Sequence, residues 1–275
     1  MIIIKLGGSV ITCKSMDFFY NEETVKRLCR EIALSGVQAI VVHGAGSFGH
    51  PLAEKYSLAK GFVDDLQIHG FSLTQSSVRL LNLRVLQAMQ EAGLSPVSIP
   101  PGSVARCDNG EIRDFNSSVF RSYLEKGLLP VTFGDAVLDV SRGFAICSGD
   151  LLIQKLSEML SPEKVVFAVD VDGIYERRPL TGSEKLLAET DVCGLKKVAA
   201  GKGDGTDVTG GMRGKISAIE GICEKGIDVL VVNGLVPGRL YDALCGTGAE
   251  GTTVKGCKIQ GNITKGCRNA EGFPS

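Results

Sequence analysis

Tryptophan is absent from the 275-residue chain, and aromatic residues make up only 6% of it. A protein that stacks single-stranded bases on aromatic rings would have little to work with here. A basic excess is also lacking. Thirty Lys and Arg stand against 31 Asp and Glu, for a net charge of −1, which argues against a general nucleic-acid binder. No stretch of about 18 uncharged apolar residues occurs, so no membrane span is expected. The first residues enter an apolar run directly, without the charged region of a signal peptide, and a reducing cytoplasm is the expected compartment. The nine cysteines, at 13, 29, 107, 147, 193, 223, 245, 257 and 267, are odd in number and include no C-x-x-C pair. That pattern supports neither a disulfide framework nor a zinc ribbon. We read them as small apolar fillers. The trio Cys245, Cys257 and Cys267 has no histidine nearby in sequence, and no protein-held metal site is expected.

Apolar content, by contrast, is ample at 44%, and glycine is abundant at 35 residues. Many of the glycines follow short apolar runs. Strand-like runs recur at 2–6, 39–43, 96–99, 128–133, 164–169 and 227–232. Helical periodicity lies between them, at 22–34, 72–92, 115–126, 149–160 and 210–225. Strands alternating with helices predict an α/β fold: a three-layer αβα sandwich with a mostly parallel central sheet. Residues 137–146, with Ser141-Arg142-Gly143 between apolar flanks, predict a hairpin. Residues 201–207 read as a loop, and the polar stretch from about 256 as a loosely ordered tail.

In such sheets ligands sit beyond the carboxyl ends of the strands, and the chemistry-bearing motifs fall there. The first run ends Lys5-Leu6-Gly7-Gly8-Ser9. The second ends His43-Gly44-Ala45-Gly46-Ser47-Phe48-Gly49-His50. Glycine lets the backbone approach a ligand and direct several N–H groups at one anion. Two such turns suggest two phosphate-bearing ligands held face to face, the geometry of phosphoryl transfer. Lys5, inside an apolar strand two residues before Gly-Gly, reads as a phosphate-facing cation, because a buried lysine needs a partner. His50 is a donor that can carry charge near neutral pH. Ser148-Gly149-Asp150 opens a helix, where Asp150 is either a helix-start carboxylate or an orienting group for lysines. Asp170-Val171-Asp172-Gly173-Ile174-Tyr175 is either a turn or a nucleotide-side segment. Thr209-Gly210-Gly211-Met212-Arg213-Gly214-Lys215 begins a helix, and glycines with a lysine at a helix start can bind phosphate. The Walker A pattern is missing. The glycines at 44, 46 and 49 lack the setting of a dinucleotide fingerprint.

The segments Lys5–Ser9, Gly44–Gly46, Asp170–Tyr175 and Thr209–Lys215, in this order, resemble the amino acid kinase superfamily over roughly residues 1–255. Within that superfamily, His43 to Pro51 together with Ser148-Gly149-Asp150 resembles the isopentenyl phosphate kinases. The resemblance implies transfer of a phosphoryl group from ATP to isopentenyl phosphate, in an archaeal-type alternative mevalonate route. It implies Lys5, Lys14, His50, Asp150 and Lys215 as catalytic residues. The acceptor would be held by Ala45, Gly46, Gly49, His50 and Gly149. ATP would be held by Lys5, Gly7, Gly8, Ser9, Gly46, Asp170, Asp172, Tyr175, Gly210 and Lys215, with Mg²⁺ bridging the nucleotide phosphates. An apolar prenyl pocket would draw on Phe71, Leu73, Val78, Phe133 and Ile146, which are otherwise core residues. Residues 1–148 would form an acceptor-binding lobe that dimerises, 149–256 an ATP lobe, and 257–275 the tail. Two departures from the pattern are Arg177-Arg178-Pro179 after Tyr175, and Cys147 before Ser148. A kinase for another small phosphate or phosphonate, such as fosfomycin, and a non-catalytic nucleotide-binding protein on the same fold are the alternatives.

Overall fold

The computed structural model describes residues 1–13, 15–177, 184–201 and 210–257. Lys14, most of the 201–207 loop, Thr209, Arg178-Pro179 and the tail with Cys267 therefore lie outside the described residues. A central sheet of eight strands runs in the order Glu189–Asp191, Gly251–Lys255, Asp228–Asn233, Lys164–Val169, Ile2–Leu6, Ala39–His43, Leu129–Phe133, Pro96–Ser98. Every neighbouring pair is parallel except Asp228–Asn233 with Gly251–Lys255. The buried β-branched runs explain the parallel core, because strands covered on both faces must be apolar throughout.

Side-chain alternation divides the strands between two apolar layers. Ile3, Ile40, Val42, Val165 and Phe167 pack with Leu152, Ile153 and Leu156 of helix Gly149–Leu160 and with Ile219 and Ile222 of helix Gly210–Glu224. Ile2, Ile4, Leu6, Val41 and Val131 pack with Leu28 and Ile32 of helix Glu22–Ser35, Leu81 and Val85 of helix Leu66–Glu91, and Leu240 and Leu244 of helix Arg239–Cys245. Lys5 shares a face with Ile3 and Phe167, so it points toward the helices that carry Asp150 and Lys215. His43 and Phe133 lie on the opposite face, under helix Leu66–Glu91.

A four-stranded sheet, Glu111–Phe115, Ala105–Asp108, Asp135–Asp139 and Gly143–Cys147, flanks one end. Its last two strands form the expected hairpin. Phe115, read from sequence as the start of a helix, instead ends an edge strand, and the helix begins at Ser118. Ile112 and Phe115 are three residues apart, yet both pack against the core, because the register skips Arg113 between the pairs Cys107–Ile112 and Arg106–Asp114, a β-bulge that a simple period-two reading misses. The long helix begins at Leu66 rather than Ser72. Gly70 looks like a break in sequence, but it is a contact point: a Cβ there would lie 2.2 Å from the Tyr56 ring.

Candidate active site

Three strands end in glycines that continue the sheet for one more hydrogen bond. The N–H of Gly7 donates to Ala168 O, that of Gly44 to Leu6 O and that of Gly134 to His43 O, at 2.9, 2.9 and 3.0 Å. The two predicted cradles are thereby brought into backbone contact. A Cβ on Gly44 would stand 2.5 Å from Gly8 N, and one on Gly8 would stand 2.9 Å from Gly46 Cα. Thr12 clips them together. Its hydroxyl donates to Gly8 O at 2.7 Å and accepts from Ser47 N–H at 3.0 Å. Gly46 has φ +50°, and a Cβ there would collide with Thr12 Oγ1. Both conditions demand glycine.

Beside this junction Lys5 donates to Asp150 in a largely buried salt bridge. The Lys5 side chain is 6% exposed and that of Asp150 17%. Asp150 lies in the first turn of helix Gly149–Leu160, whose N-cap Ser148 accepts from Leu151 N–H at 3.2 Å. The Lys5 ammonium sits 5.4 Å from the Phe167 ring centroid. Burial pulls the Lys5 pKa below its ordinary value, Asp150 opposes that, and the positive charge of Lys215 adds to the lowering. Lys215, half-buried in helix Gly210–Glu224, thus acts electrostatically on Lys5 although 210 residues separate them in sequence. Gly149 packs on the same lysine: a Cβ there would lie 3.5 Å from Lys5 Cε.

Ala45, Gly46, Gly49 and His50 occupy the start of helix Gly46–Lys55. His50 is exposed. Gly8 and Ser9 lie in a single helical turn, Gly8–Ile11, after the first strand. Asp170 follows strand Lys164–Val169 at the same edge, and Gly210 opens the Lys215 helix. Asp172 is engaged by neighbouring side chains. It accepts from Asn233 Nδ2 at 3.0 Å and from Tyr175 OH at 3.1 Å, and pairs with Arg239, which also pairs with Glu250. Asn233, Arg239 and Tyr175 together hold the Asp172 carboxyl below the usual range. Asp172 and Tyr175 therefore brace the strand ends among themselves.

The five pocket candidates are not gathered in one place. Phe71 and Ile146 join a small apolar cluster with Leu58, Ala136, Phe144 and Tyr56. The rings of Phe71 and Phe144 lie 5.1 Å apart. Val78 is buried under the acceptor turn, its Cγ1 3.0 Å from where a Gly49 Cβ would be. Phe133 is fully buried beneath the sheet end, stacked on His43. Leu73 is 36% exposed. Two positions beyond Phe71, it is turned about 200° around the helix, away from the cluster. Thr12 and Arg239 had no sequence signal beyond ordinary polar residues; only their contacts single them out.

Among the described residues, no group of three or more His, Cys, Asp or Glu could hold a metal. None of the described helices is long and apolar enough to cross a membrane. Among the eight described cysteines, Cys29, Cys107, Cys147 and Cys223 are buried thiols, as expected of fillers, whereas Cys13 and Cys193 are half-buried and Cys245 and Cys257 are exposed, against that reading.

Residues 1–233 match the amino acid kinase family. Isopentenyl phosphate kinase from Methanothermobacter thermautotrophicus is 40% identical over 266 residues, covering 93% of this chain and 99% of the relative. A solved isopentenyl phosphate kinase structure superposes with a TM-score of 0.80 at 36% identity, covering 92% of this chain and 99% of that one. The Thermoplasma acidophilum isopentenyl phosphate kinase product complex gives 0.73 at 29% identity, covering 93% and 100%. The two glycine turns, the buried Lys5–Asp150 pair and these likenesses agree: the chain belongs to the amino acid kinase family, in its isopentenyl phosphate kinase branch.

Proposed function

We propose that the protein transfers the γ-phosphoryl group of ATP to isopentenyl phosphate, yielding isopentenyl diphosphate and ADP. The observation that carries this reading is the Lys5–Asp150 pair buried where the two glycine turns touch, with Lys215 acting on the same lysine. Phosphoryl transfer needs two phosphates in line and fixed positive charge between them, with little covalent work by the protein. Lys5 and Lys215 neutralise charge on the transferring group. Asp150 orients Lys5. Gly7, Gly8 and Ser9 receive the ATP phosphates, with Asp170 and Gly210 on the nucleotide side. Lys14 belongs to the same set by its sequence position. Ala45, Gly46, Gly49 and Gly149 hold the acceptor phosphate, and His50 donates to it. The acceptor's non-bridging oxygen attacks the γ-phosphorus, and the bond to the β-phosphate oxygen breaks, leaving ADP. Mg²⁺ enters as part of the nucleotide substrate, held by phosphate oxygens, which suits a site without a carboxylate cluster.

The cluster around Phe71, Phe144 and Ile146 supports an apolar acceptor tail over a polar phosphonate. The same reading takes the enzyme as a cytoplasmic homodimer. Leu73, Leu80 and Leu83, exposed on one side of helix Leu66–Glu91, would supply part of the subunit contact. A coupled ADP-release assay over isopentenyl phosphate, dimethylallyl phosphate, fosfomycin, uridylate and acetylglutamate tests the assignment. Turnover concentrated on isopentenyl phosphate is expected; turnover of fosfomycin or acetylglutamate without it overturns the reading.

A further inference from the structure

His43 ends strand Ala39–His43 and is wholly buried, yet it takes no part in the transfer outlined above. Its ring stacks on Phe133, with centroids 5.3 Å apart and planes 17° from parallel. Its Nε2 lies 3.1 Å from Asn82 Nδ2, and its Nδ1 lies 2.9 Å from Gly44 O. Ser98 Oγ donates to Asn82 Oδ1 at 2.6 Å. These partners fix the proton. Ser98 holds the Asn82 oxygen, so the Asn82 NH₂ faces the imidazole. An NH₂ can only donate and a carbonyl can only accept. Nε2 is therefore bare, and Nδ1 carries the hydrogen that reaches Gly44 O. Burial also pushes the His43 pKa down to about 4, which keeps the ring neutral.

The Gly44 carbonyl and the Ala45 N–H belong to one planar trans peptide and point in opposite directions. Holding the carbonyl toward the imidazole therefore sends the Ala45 N–H away from His43. Gly44 is pinned on its other side as well, by its N–H donating to Leu6 O at 2.9 Å. The Ala45 nitrogen converges with a second one: a Cβ on Gly134 would lie 3.4 Å from both Ala45 N and Gly149 N. Two backbone nitrogens near one point, one of them at the start of helix Gly149–Leu160, are the kind of pair that can gather at a single anion.

We infer that His43 is a positioning residue, which through the Ser98–Asn82–His43–Gly44 chain aims the Ala45 amide at the acceptor phosphate. The inference rests on the acceptor role given to that turn under the proposed function. It assigns the acceptor turn a support on the far side of the sheet from Lys5.

Steady-state kinetics of His43→Leu and His43→Asn test it, with ATP and isopentenyl phosphate varied in turn. The leucine cannot hold the Gly44 carbonyl. It should raise the KM for isopentenyl phosphate by about tenfold or more while the KM for ATP stays within about twofold. The asparagine places an amide donor where Nδ1 was and should recover the acceptor KM to within about threefold. Equal changes in both KM values, an unchanged acceptor KM, or no recovery in the asparagine variant would each overturn the role. Should His43→Leu fail to fold, Ser98→Ala frees the Asn82 amide to turn over, and a rise of about threefold in the acceptor KM alone is expected. Nitrogen-15 NMR of the unaltered protein supplies a readout independent of turnover. Protonated Nδ1 with bare Nε2 at neutral pH is expected, and the other tautomer or an imidazolium refutes the chain. If isopentenyl phosphate is not turned over at all, the functional assignment fails, while the tautomer still decides the His43 geometry.

Discussion

Asp150→Asn removes the carboxylate that pairs with Lys5 while keeping its size. In the parent protein burial disfavours the Lys5 ammonium and Asp150 sustains it. Without Asp150, burial and Lys215 act in the same direction, and the Lys5 pKa falls further. An unburied lysine titrates near 10.4, and each unit of displacement corresponds to about 1.36 kcal/mol. Holding Lys5 neutral at pH 7 therefore costs at most roughly 4.6 kcal/mol, a ceiling on what its discharge can cost the variant. Breaking a buried pair usually costs about 3–5 kcal/mol, so a loss of about 3–4 kcal/mol at pH 7 is expected. The sign with pH follows from proton counting. A lysine with a lowered folded pKa binds fewer protons folded than unfolded between its two pKa values, so stability rises with pH across that window. The deficit should be full below the lowered pKa and shrink as pH approaches about 10. A discharged Lys5 cannot neutralise the transferring group, so kcat should drop by about 10²–10³. It should recover in part toward acid, where the proton returns. Urea denaturation at two pH values and ADP-release rates across the pH range provide the measurements. A variant within about 1 kcal/mol of the parent at pH 7, or one whose rate deficit ignores pH, would refute the reasoning.

Three other outcomes are expected. Lys215→Ala should lose about 10²–10³ in kcat, roughly 3 kcal/mol of charge stabilisation, with folding unchanged by circular dichroism. A rate within a few-fold of the parent would exclude that role. His50→Ala should lower kcat/KM for isopentenyl phosphate sharply at unchanged thermal stability, because the side chain is exposed and holds no core in place; normal turnover would remove it from the mechanism. Phe71→Ala should broaden the range of prenyl chain lengths accepted, whereas Leu73→Ala should leave it as it was. A chain-length series in the ADP-release assay separates the two, and identical behaviour would displace the pocket from the Phe71–Phe144 cluster.

Much of the central sheet was legible because its residues carry their signal locally. Apolar runs that stop at a glycine or, for the third, at an aspartate named the strands Ile2–Leu6, Ala39–His43 and Lys164–Val169 to the residue. Lys5 stood out because an amine inside an isoleucine strand needs a partner, and Asp150 is that partner. What escaped depends on contacts distant in sequence. Strand Gly251–Lys255, second from the sheet's end and antiparallel to Asp228–Asn233, is only five residues long, with an alternation too brief to announce itself. Thr12 looks like any threonine until its hydroxyl is seen between Gly8 O and Ser47 N. Asp172 sits in a motif that suggests ligand contact, yet Arg239 and Asn233, more than 60 residues away, engage it. Phe133 and Leu73 were grouped with Phe71 by apolar character alone, which does not reveal the side of a sheet or helix on which a side chain ends.

Gly8 packed against Gly44 and Gly46 leaves no room for a methyl group on Gly8 or on Gly44. The spacing between the nucleotide and acceptor sites is thus set by main chain against main chain, like two rails bolted to one sleeper. Neither cradle can slide without tearing the first strand from the second. On the proposed assignment of the two turns, an enzyme of this build would adapt to a longer or bulkier acceptor at the far end of the tail rather than at the phosphates. The distance the phosphorus travels stays the same whichever acceptor is bound.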